Sequence, residues 1–276
     1  MQQLFILSIA LLLASCKSTN FHELSQQVAR HNLNLQYVTA NQFELMYLSN
    51  RRAGRTLHVY LEGDGLPWAS RYQMSNDPSP KYPLALSLMT QDLSNAIYLS
   101  RPCYYLVKPD TKCDTKLWTS ARYSQTVVDT MLAAIRKIID LQLSNSKTQI
   151  NQVVLIGYSG GGVLASLLAE ELKLANFYVT IASNLDTKAW TDYHQYSPLT
   201  ESINPMSIER NSYKPALHFV GSADKVVPGF ISQDFIDKSS GTLITLKSFD
   251  HSCCWVKKWP QQLEKIKIFQ QKTNLK

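Results

Sequence analysis

The chain of 276 residues is long enough for one large domain or two small ones, and its 45% hydrophobic content is ordinary for a protein that buries a core. Its formal net charge of +7 lies partly in the C-terminal segment 257–276, but no nucleic-acid-binding motif accompanies that charge, so nucleic acid is not an expected partner. Beyond the N-terminus, no apolar run reaches the ~18 residues that a membrane-spanning helix needs.

The N-terminal segment 4–16, LFILSIALLLASC, is apolar and is followed at once by polar residues, which is typical of a secretory signal. Its last four residues, Leu13 to Cys16, resemble the bacterial lipobox, in which the cysteine becomes the first mature residue and carries lipid. We therefore expect residues 1–16 to be a signal peptide and Cys16 to be lipidated, which would anchor the exported protein in the outer membrane, facing the periplasm. No Lys or Arg precedes the apolar segment, so a plain signal peptide with a chance cysteine and an uncleaved anchor stay open as alternatives.

Strand-like and helix-like segments alternate after a leading segment, residues 17–42, which predicts a mostly parallel α/β sheet within a domain spanning 43–276. Two opening strands, 43–49 and 57–63, are separated by a polar turn and are expected to form an antiparallel start to the sheet. Further strands are predicted at 95–100, 153–157, 177–183, 216–222 and 242–247, and helices at 119–143, from 160 to about 174, and after Trp255.

The segment 184–213 has no clear period and is rich in polar and turn residues. Connections of this length are usually functional or disordered, so we interpret it as an insertion over the sheet that forms a small lid.

Cysteines of an exported protein are expected to form disulfides rather than to bind metal. Cys103 and Cys113 enclose a short loop and are the expected pair. Cys253 and Cys254 are neighbours, so a bond between them would be strained, and we expect buried thiols or other partners. No Cys or His spacing is typical of a zinc site, and we expect neither a metal nor another cofactor.

The segment Gly157-Tyr158-Ser159-Gly160-Gly161 stands between an apolar strand and a predicted helix. This context predicts a nucleophile elbow, a sharp turn that exposes the serine oxygen above the sheet while the flanking glycines avoid collisions. The helix that begins at Gly160 points its amides at the serine, so the Gly160 amide is an expected oxyanion donor. A phosphate-binding loop would need a Lys after the glycines, and a dinucleotide fingerprint would need a different glycine spacing.

A serine nucleophile needs a histidine base and an acid that orients the histidine, and in hydrolases with this elbow the acid and then the histidine follow in the chain. His251 lies in a loop after the last predicted strand, and Asp224 lies just past the strand 216–222. Both loops should reach the edge of the sheet that carries Ser159. Asp186, which follows the preceding strand, is the alternative acid.

The loop Glu62-Gly63-Asp64-Gly65 follows another predicted strand and is the expected source of the second oxyanion donor, the amide of Asp64. A carboxylate beside an oxyanion would be repulsive, so we expect the Asp64 side chain to turn away, toward Arg71 or Arg101. The alternative is that this loop is only a turn.

These motifs together resemble the α/β-hydrolase superfamily over about residues 43–268. More closely, the chain is similar to exported bacterial hydrolases that share a GDG…W loop and an RPC…C…W segment, here beginning at Gly63 and at Arg101. The resemblance implies a three-layer fold with an eight-stranded, mostly parallel sheet covered by helices on both faces. It also implies serine acyl chemistry without a metal, but it fixes no substrate, because this fold hosts several activities.

The leading hypothesis is therefore a serine esterase of the carboxylesterase or lipase type, in which Ser159, His251 and Asp224 act on a small-molecule or lipid acyl ester. An acyltransferase or peptidase with the same triad, and a non-catalytic surface lipoprotein on the same scaffold, are the alternatives.

Overall fold

The computed structural model describes residues 19–146 and 148–274. The predicted signal peptide and its lipidation site, Cys16, lie outside the described residues. Among those that are described, no helix is both long enough and apolar enough to cross a membrane.

The described chain contains ten strands and seven α-helices. The strands are β1 (Asn34–Ala40), β2 (Phe43–Ser49), β3 (Thr56–Leu61), β4 (Trp68–Ser70), β5 (Gln73–Met74), β6 (Asn95–Leu99), β7 (Gln152–Tyr158), β8 (Ala175–Ile181), β9 (Ala216–Gly221) and β10 (Thr242–Leu246). The helices are α1 (Thr19–Arg30), α2 (Leu84–Met89), α3 (Gln125–Ser146), α4 (Gly160–Glu171), α5 (Thr187–His194), α6 (Phe230–Lys238) and α7 (Trp255–Asn274). Short 3-10 turns cover Thr115–Trp118 and Pro205–Ser207.

Eight of the strands form one sheet in the order β1-β2-β6-β3-β7-β8-β9-β10, and β4 and β5 form a separate hairpin. The pairs β1–β2 and β2–β6 are antiparallel, and the pairs from β6 to β10 are parallel. On the two faces, α3 packs with α4 and α2 packs with α7. The predicted eight-stranded, mostly parallel sheet in three layers is confirmed.

The predicted pairing of the strands 43–49 and 57–63 is wrong, because β6 lies between β2 and β3. The antiparallel partner of β2 on its other side is β1, which the sequence analysis had left in the leading segment 17–42. Asn50 directs the chain past β6: its side-chain amide donates to the carbonyl of Ser94, and its own backbone N–H donates to Ala96. The connection 50–55 therefore runs beside β6 instead of folding back as a hairpin.

The centre of the fold is the unit β7–α4. Every residue of β7 except Tyr158 is buried, as expected for a central strand that is covered on both faces. The residues of α4 from Gly160 to Ala169 are all buried as well, so this helix is apolar all round. The strand and helix on either side of the predicted nucleophile are thus almost fully buried.

The structure contains the predicted disulfide between Cys103 and Cys113. The expectation for the other two cysteines is wrong, because Cys253 and Cys254 are bonded to each other and Cys253 is exposed. The chain turns tightly here, since Asp250 Oδ1 accepts hydrogen bonds from the backbone amides of Ser252 and Cys253. That turn, just before α7, brings the neighbouring sulfurs together, with Cys253 exposed and Cys254 packed against the core.

Candidate active site

Ser159 lies at the sharp turn between β7 and α4. Its backbone has φ 53° and ψ −126°, a left-handed conformation that is costly for a residue with a side chain and that is found mainly where function requires it. A Cβ atom on Gly157 would collide with the carbonyl of Gly161, and a Cβ atom on Gly161 would collide with the carbonyl of Leu61. The local geometry is that of a nucleophile elbow.

Two further predicted residues meet at this serine. His251 Nε2 lies 3.1 Å from Ser159 Oγ, and His251 Nδ1 lies 2.9 Å from Asp224 Oδ2. The Asp224 side chain is fully buried, while 18% of the His251 side chain is exposed. Asp224 Oδ1 also accepts hydrogen bonds from the amides of Val226 and Val227, both at 2.8 Å, which fix the carboxylate in one orientation.

The alternative acid, Asp186, lies elsewhere. Its Oδ1 accepts hydrogen bonds from the amides of Lys188 and Ala189, and it is the N-cap of α5. The insertion 184–213 therefore contains a capped helix. This helix packs beside the loop 222–229 that carries Asp224, which we call the acid loop. There Trp190 Nε1 donates to the carbonyl of Val226 at 2.9 Å.

Tyr158, which the sequence analysis did not single out, holds the histidine. Its hydroxyl donates to the backbone carbonyl of His251 at 3.1 Å, and the two rings lie 5.2 Å apart. The same carbonyl accepts a hydrogen bond from Trp255 Nε1, also at 3.1 Å. Burial raises the pKa of the Tyr158 hydroxyl, so it acts as a neutral donor. Its position inside the elbow motif was the available sequence signal.

The loop 62–65 packs directly against the elbow. A Cβ atom on Gly63 would lie 3.3 Å from the Cβ atom of Ser159, and a Cβ atom on Gly160 would collide with Asp64 Oδ1 and the Tyr123 hydroxyl. Gly160 is also the first residue of α4, where backbone amides have no acceptor within the helix. The two predicted oxyanion donors, the amides of Gly160 and Asp64, thus belong to segments that meet beside Ser159.

The Asp64 carboxylate sits in a buried cluster of charges, which we call the Asp64 cluster (Asp64, Arg101, Arg122, Tyr104 and Tyr123). Arg101 and Arg122 each place a guanidinium nitrogen 2.9 Å from an Asp64 oxygen, and the Tyr123 hydroxyl donates at 2.8 Å. The Tyr104 hydroxyl donates to the backbone carbonyl of Asp64 at 2.9 Å. Side chain and peptide of Asp64 are therefore both held.

Electrostatics keep Asp64 ionised. Burial alone would raise the pKa of this carboxyl, but the charges of Arg122 and Arg101 and the hydrogen bond from Tyr123 hold it below its ordinary value. Asp64 does turn toward Arg101, as predicted. Arg71, the other predicted partner, is exposed and lies over the ring of Tyr72 instead. Arg122 and Tyr123 were missed, because nothing near them in the sequence points to residue 64.

Glu62 supports the other end of the same loop. It is buried, and its two carboxyl oxygens accept hydrogen bonds from the amides of Gly63 at 3.1 Å and Ala85 at 3.0 Å. Burial raises the pKa of Glu62 to about 7 in spite of those hydrogen bonds. Contacts of the Glu62 and Asp64 side chains therefore hold this loop on either side of Gly63.

No group of three or more His, Cys, Asp or Glu residues within 19–146 and 148–274 is placed to hold a metal ion. Other histidines have structural partners: His58 pairs with Asp92, and His218 contacts Thr180. Burial lowers the pKa of His218 to about 3.

No protein-family model and no curated protein sequence matches the chain. Solved structures of similar fold, however, align with most of the chain. An esterase of Pyrococcus furiosus aligns with a TM-score of 0.58 at 12% identity, over 87% of this chain and 90% of the esterase. An esterase/lipase from an uncultured bacterium aligns with a TM-score of 0.56 at 12% identity, over 96% of this chain and 94% of that one. An acylaminoacyl peptidase of Pyrococcus horikoshii has a TM-score of 0.50 at 11% identity and covers 79% of this chain and 37% of the peptidase. These likenesses show that the chain has the α/β-hydrolase fold.

Proposed function

We propose that the protein is a serine hydrolase that cleaves acyl esters through a covalent acyl-enzyme. The observation that carries this proposal is the continuous hydrogen-bonded path from Ser159 Oγ to His251 Nε2 at 3.1 Å and from His251 Nδ1 to Asp224 at 2.9 Å. A serine in a left-handed turn, a histidine in contact with its oxygen and a buried carboxylate behind the histidine are the parts that nucleophilic acyl transfer requires.

Each residue then has one role. His251 Nε2 accepts the proton of Ser159 as the serine oxygen attacks the acyl carbonyl, and later gives that proton to the departing alcohol. Asp224 keeps the proton of the imidazole on Nδ1 and stabilises the imidazolium that forms. A water molecule then enters, loses a proton to the same Nε2 and releases the acid, which restores the serine.

The negative charge on the carbonyl oxygen is met by the amides of Gly160 and Asp64 in this mechanism. Helix α4 adds the positive end of its dipole at Gly160. Donors that are fixed before the reaction need no reorganisation, and removal of one such donor typically costs about 10²–10³ in kcat. The hydrogen bonds that hold Asp64 supply that fixation on the second side.

Acyl transfer to an alcohol or amine, and peptide cleavage, would use the same three side chains. They differ from ester hydrolysis in the group that leaves or accepts the acyl chain, and the fold hosts all of them. The products therefore decide: free acid and alcohol for the esterase, an acylated acceptor for a transferase, and two peptides for a peptidase.

The test is Ser159→Ala in the full chain, assayed on short p-nitrophenyl esters and by labelling with a fluorophosphonate. We expect turnover to fall roughly 10³-fold or more and labelling to disappear, because the nucleophile itself is removed. Ser166→Ala is the matched control, since Ser166 is a buried serine of the same helix whose hydroxyl donates to the carbonyl of Val163. Undiminished ester turnover in Ser159→Ala, with the fold intact by circular dichroism, would refute the proposal.

A further inference from the structure

Exposed apolar side chains gather at the edge of the sheet that carries Ser159. The strands β3, β6, β7, β8 and β9 are parallel, so the segments that follow them leave the same edge. Two groups of exposed hydrophobic residues lie on those segments, one on each side of the triad. Clustered exposed hydrophobic side chains often mark an interaction site.

The first group, which we call the hairpin patch, follows the loop 62–65, which we call the oxyanion loop after the role proposed for it. The hairpin β4–β5 is exposed along its whole length, and the patch consists of Leu66, Trp68, Tyr72, Met74 and Tyr82. Tyr72 at the tip of the hairpin is 85% exposed. The base of the patch is fixed, because Leu66 donates its amide to the carbonyl of Pro78 at 2.8 Å.

The second group, the helix patch, lies on α5, on the acid loop and at the start of α6, and it consists of Tyr193, Tyr196, Val226 and Phe230. The rings of Tyr193 and Phe230 lie 5.4 Å apart, which joins α5 to the start of α6. Trp190 and His194 tie α5 to the acid loop through the carbonyl of Val226, at 2.9 and 2.7 Å. Val226 is two residues after Asp224, and Leu66 is two residues after Asp64, so each patch begins on a loop that also carries a residue of the candidate site.

Basic side chains accompany both patches. The guanidinium of Arg71 lies 5.6 Å from the ring centre of Tyr72, and Lys81 lies 5.5 Å from that of Tyr82. The segment 66–82 contains these two cations and one acid, Asp77, and on the other side Lys225 is exposed beside Val226. Within the described residues, none of these three cations is in an ion pair with a carboxylate.

We propose that the two patches form a docking surface for a lipid bilayer that contains anionic headgroups, with Ser159 facing the membrane. Tyrosine and tryptophan rings settle at the boundary between headgroups and acyl chains, where one end is apolar and the other is hydrated. Cations beside them meet lipid phosphates. A docking surface for a protein partner would have a continuous apolar centre. Here the exposed apolar residues form two separate groups.

The surface deepens the proposed function, since an ester held in the bilayer would meet the nucleophile directly, but its test needs no turnover. The full chain is mixed with vesicles of phosphatidylcholine and phosphatidylglycerol, and binding is measured by flotation. Every variant carries the same N-terminal segment, so differences between variants report on the folded surface. Vesicles with brominated acyl chains then quench tryptophans that enter the bilayer.

We expect Trp68→Ser with Tyr72→Ser to weaken binding at least tenfold, because the largest apolar side chains of the hairpin are lost. Leu141→Ser with Leu143→Ser is the matched control and should leave binding unchanged. These leucines are 44% and 45% exposed, close to the 42% of Trp68, but they lie near the end of α3 at the opposite edge of the sheet. Arg71→Gln with Lys81→Gln should cost about tenfold on anionic vesicles, and less on neutral ones.

Bromolipid quenching should occur in the wild type and fall in Trp68→Phe. Equal quenching in both would overturn the proposal, because the hairpin would then lie outside the bilayer. An equal loss of binding in the leucine control would also overturn it. A third outcome would overturn it as well: the variant with Trp68→Ser and Tyr72→Ser binds vesicles as the wild type does, but no longer forms a dimer that the wild type forms in sedimentation. The surface would then bind a second copy of this chain.

Discussion

A buried carboxylate on the loop that carries the proposed oxyanion donor needs an explanation, because its charge would repel an oxyanion. Asp64 is tolerated because Arg101 and Arg122 both contact it, so the two arginines and the aspartate carry one net positive charge together. A positive field of this kind favours the negative charge that develops on a carbonyl oxygen at Ser159. The carboxylate itself serves to hold the loop, since both arginines and the Tyr123 hydroxyl converge on it.

Asp64→Asn separates these two effects. The substitution makes the cluster more positive but weakens the contacts that hold the loop. A shift of the Asp64 backbone amide by about 1 Å can lower the rate by about 10². We expect kcat on a soluble ester to fall about 10- to 100-fold while KM changes little, because the loss falls on the transition state. A boronic acid inhibitor, which forms a tetrahedral anion at the serine, should bind more weakly by a similar factor.

Asp92→Asn is the matched control for Asp64→Asn. Asp92 belongs to a second buried network, with His58 at 2.6 Å and the Tyr60 hydroxyl at 2.7 Å, at the opposite edge of the sheet. Removing a partner from a buried pair should lower Tm in both variants, but only Asp64→Asn should lower kcat. A kcat at or above the wild-type value in Asp64→Asn would show that the cluster does not position the loop.

At the scale of elements, the segment 101–105 connects the Asp64 cluster to a disulfide. Arg101 and Tyr104 contact Asp64, and Cys103 between them is bonded to Cys113. Cys103 and Tyr105 have φ angles of 72° and 55°, conformations that cost about 1–2 kcal/mol for a residue with a side chain. The disulfide therefore helps to keep a strained segment in the shape that holds the oxyanion loop.

Replacing Cys103 and Cys113 by serine should lower the free energy of unfolding by about 3 kcal/mol, since the bond closes a loop with a sequence separation of 10. It should also lower kcat well below the unfolding temperature, because Arg101 and Tyr104 lose their fixed neighbour. Chemical denaturation and ester kinetics on the same preparation measure both. Cys253→Ser with Cys254→Ser is the control: this bond joins neighbouring residues and constrains almost no chain, so we expect little change in stability.

Local sequence signals predicted seven of the eight strands of the main sheet, but of the helices only α3, α4 and α7, and they predicted long-range contacts poorly. The strand β7, the turn at Ser159 and α4 are marked by an apolar run, glycines and a helical continuation, all within 20 residues. The strand β1 was missed because its residues are only partly buried over most of its length, as in an edge strand whose apolar pattern is weak. The position of β6 between β2 and β3 depends on tertiary pairing that no local pattern encodes.

The same division holds for the site. The proximity of Asp224 and His251 to Ser159 could be predicted, because chain order and strand ends restrict the choice to a few loops. Arg122 and Tyr123 reach Asp64 across sequence separations of 58 and 59, and they lie in a segment that reads as the start of a helix. Only the folded chain brings them to the oxyanion loop.

At the scale of the whole molecule, Glu62 links stability to pH. Burial raises the pKa of Glu62 in the folded protein to about 7, above the ordinary value of 4.5 for a glutamate. Between these two values the folded protein holds a proton that the unfolded chain has already lost. The free energy of unfolding should therefore fall as pH rises from about 4.5 to 7, by up to about 3 kcal/mol from this residue, and stay level above that range.

Glu62→Gln isolates this contribution, because glutamine cannot ionise. The variant loses one carboxyl acceptor, so at pH 5 it should be less stable than the wild type, since the amide of Gly63 or Ala85 is left with a weaker partner. As pH rises to 8, the difference should shift in favour of the variant by up to about 3 kcal/mol, since only the wild type must then bury a charge. Urea denaturation at both pH values measures the shift. An equal difference in the free energy of unfolding between wild type and variant at pH 5 and pH 8 would mean that Glu62 does not titrate in this range. The loop would then be held by a carboxylate that is ionised throughout.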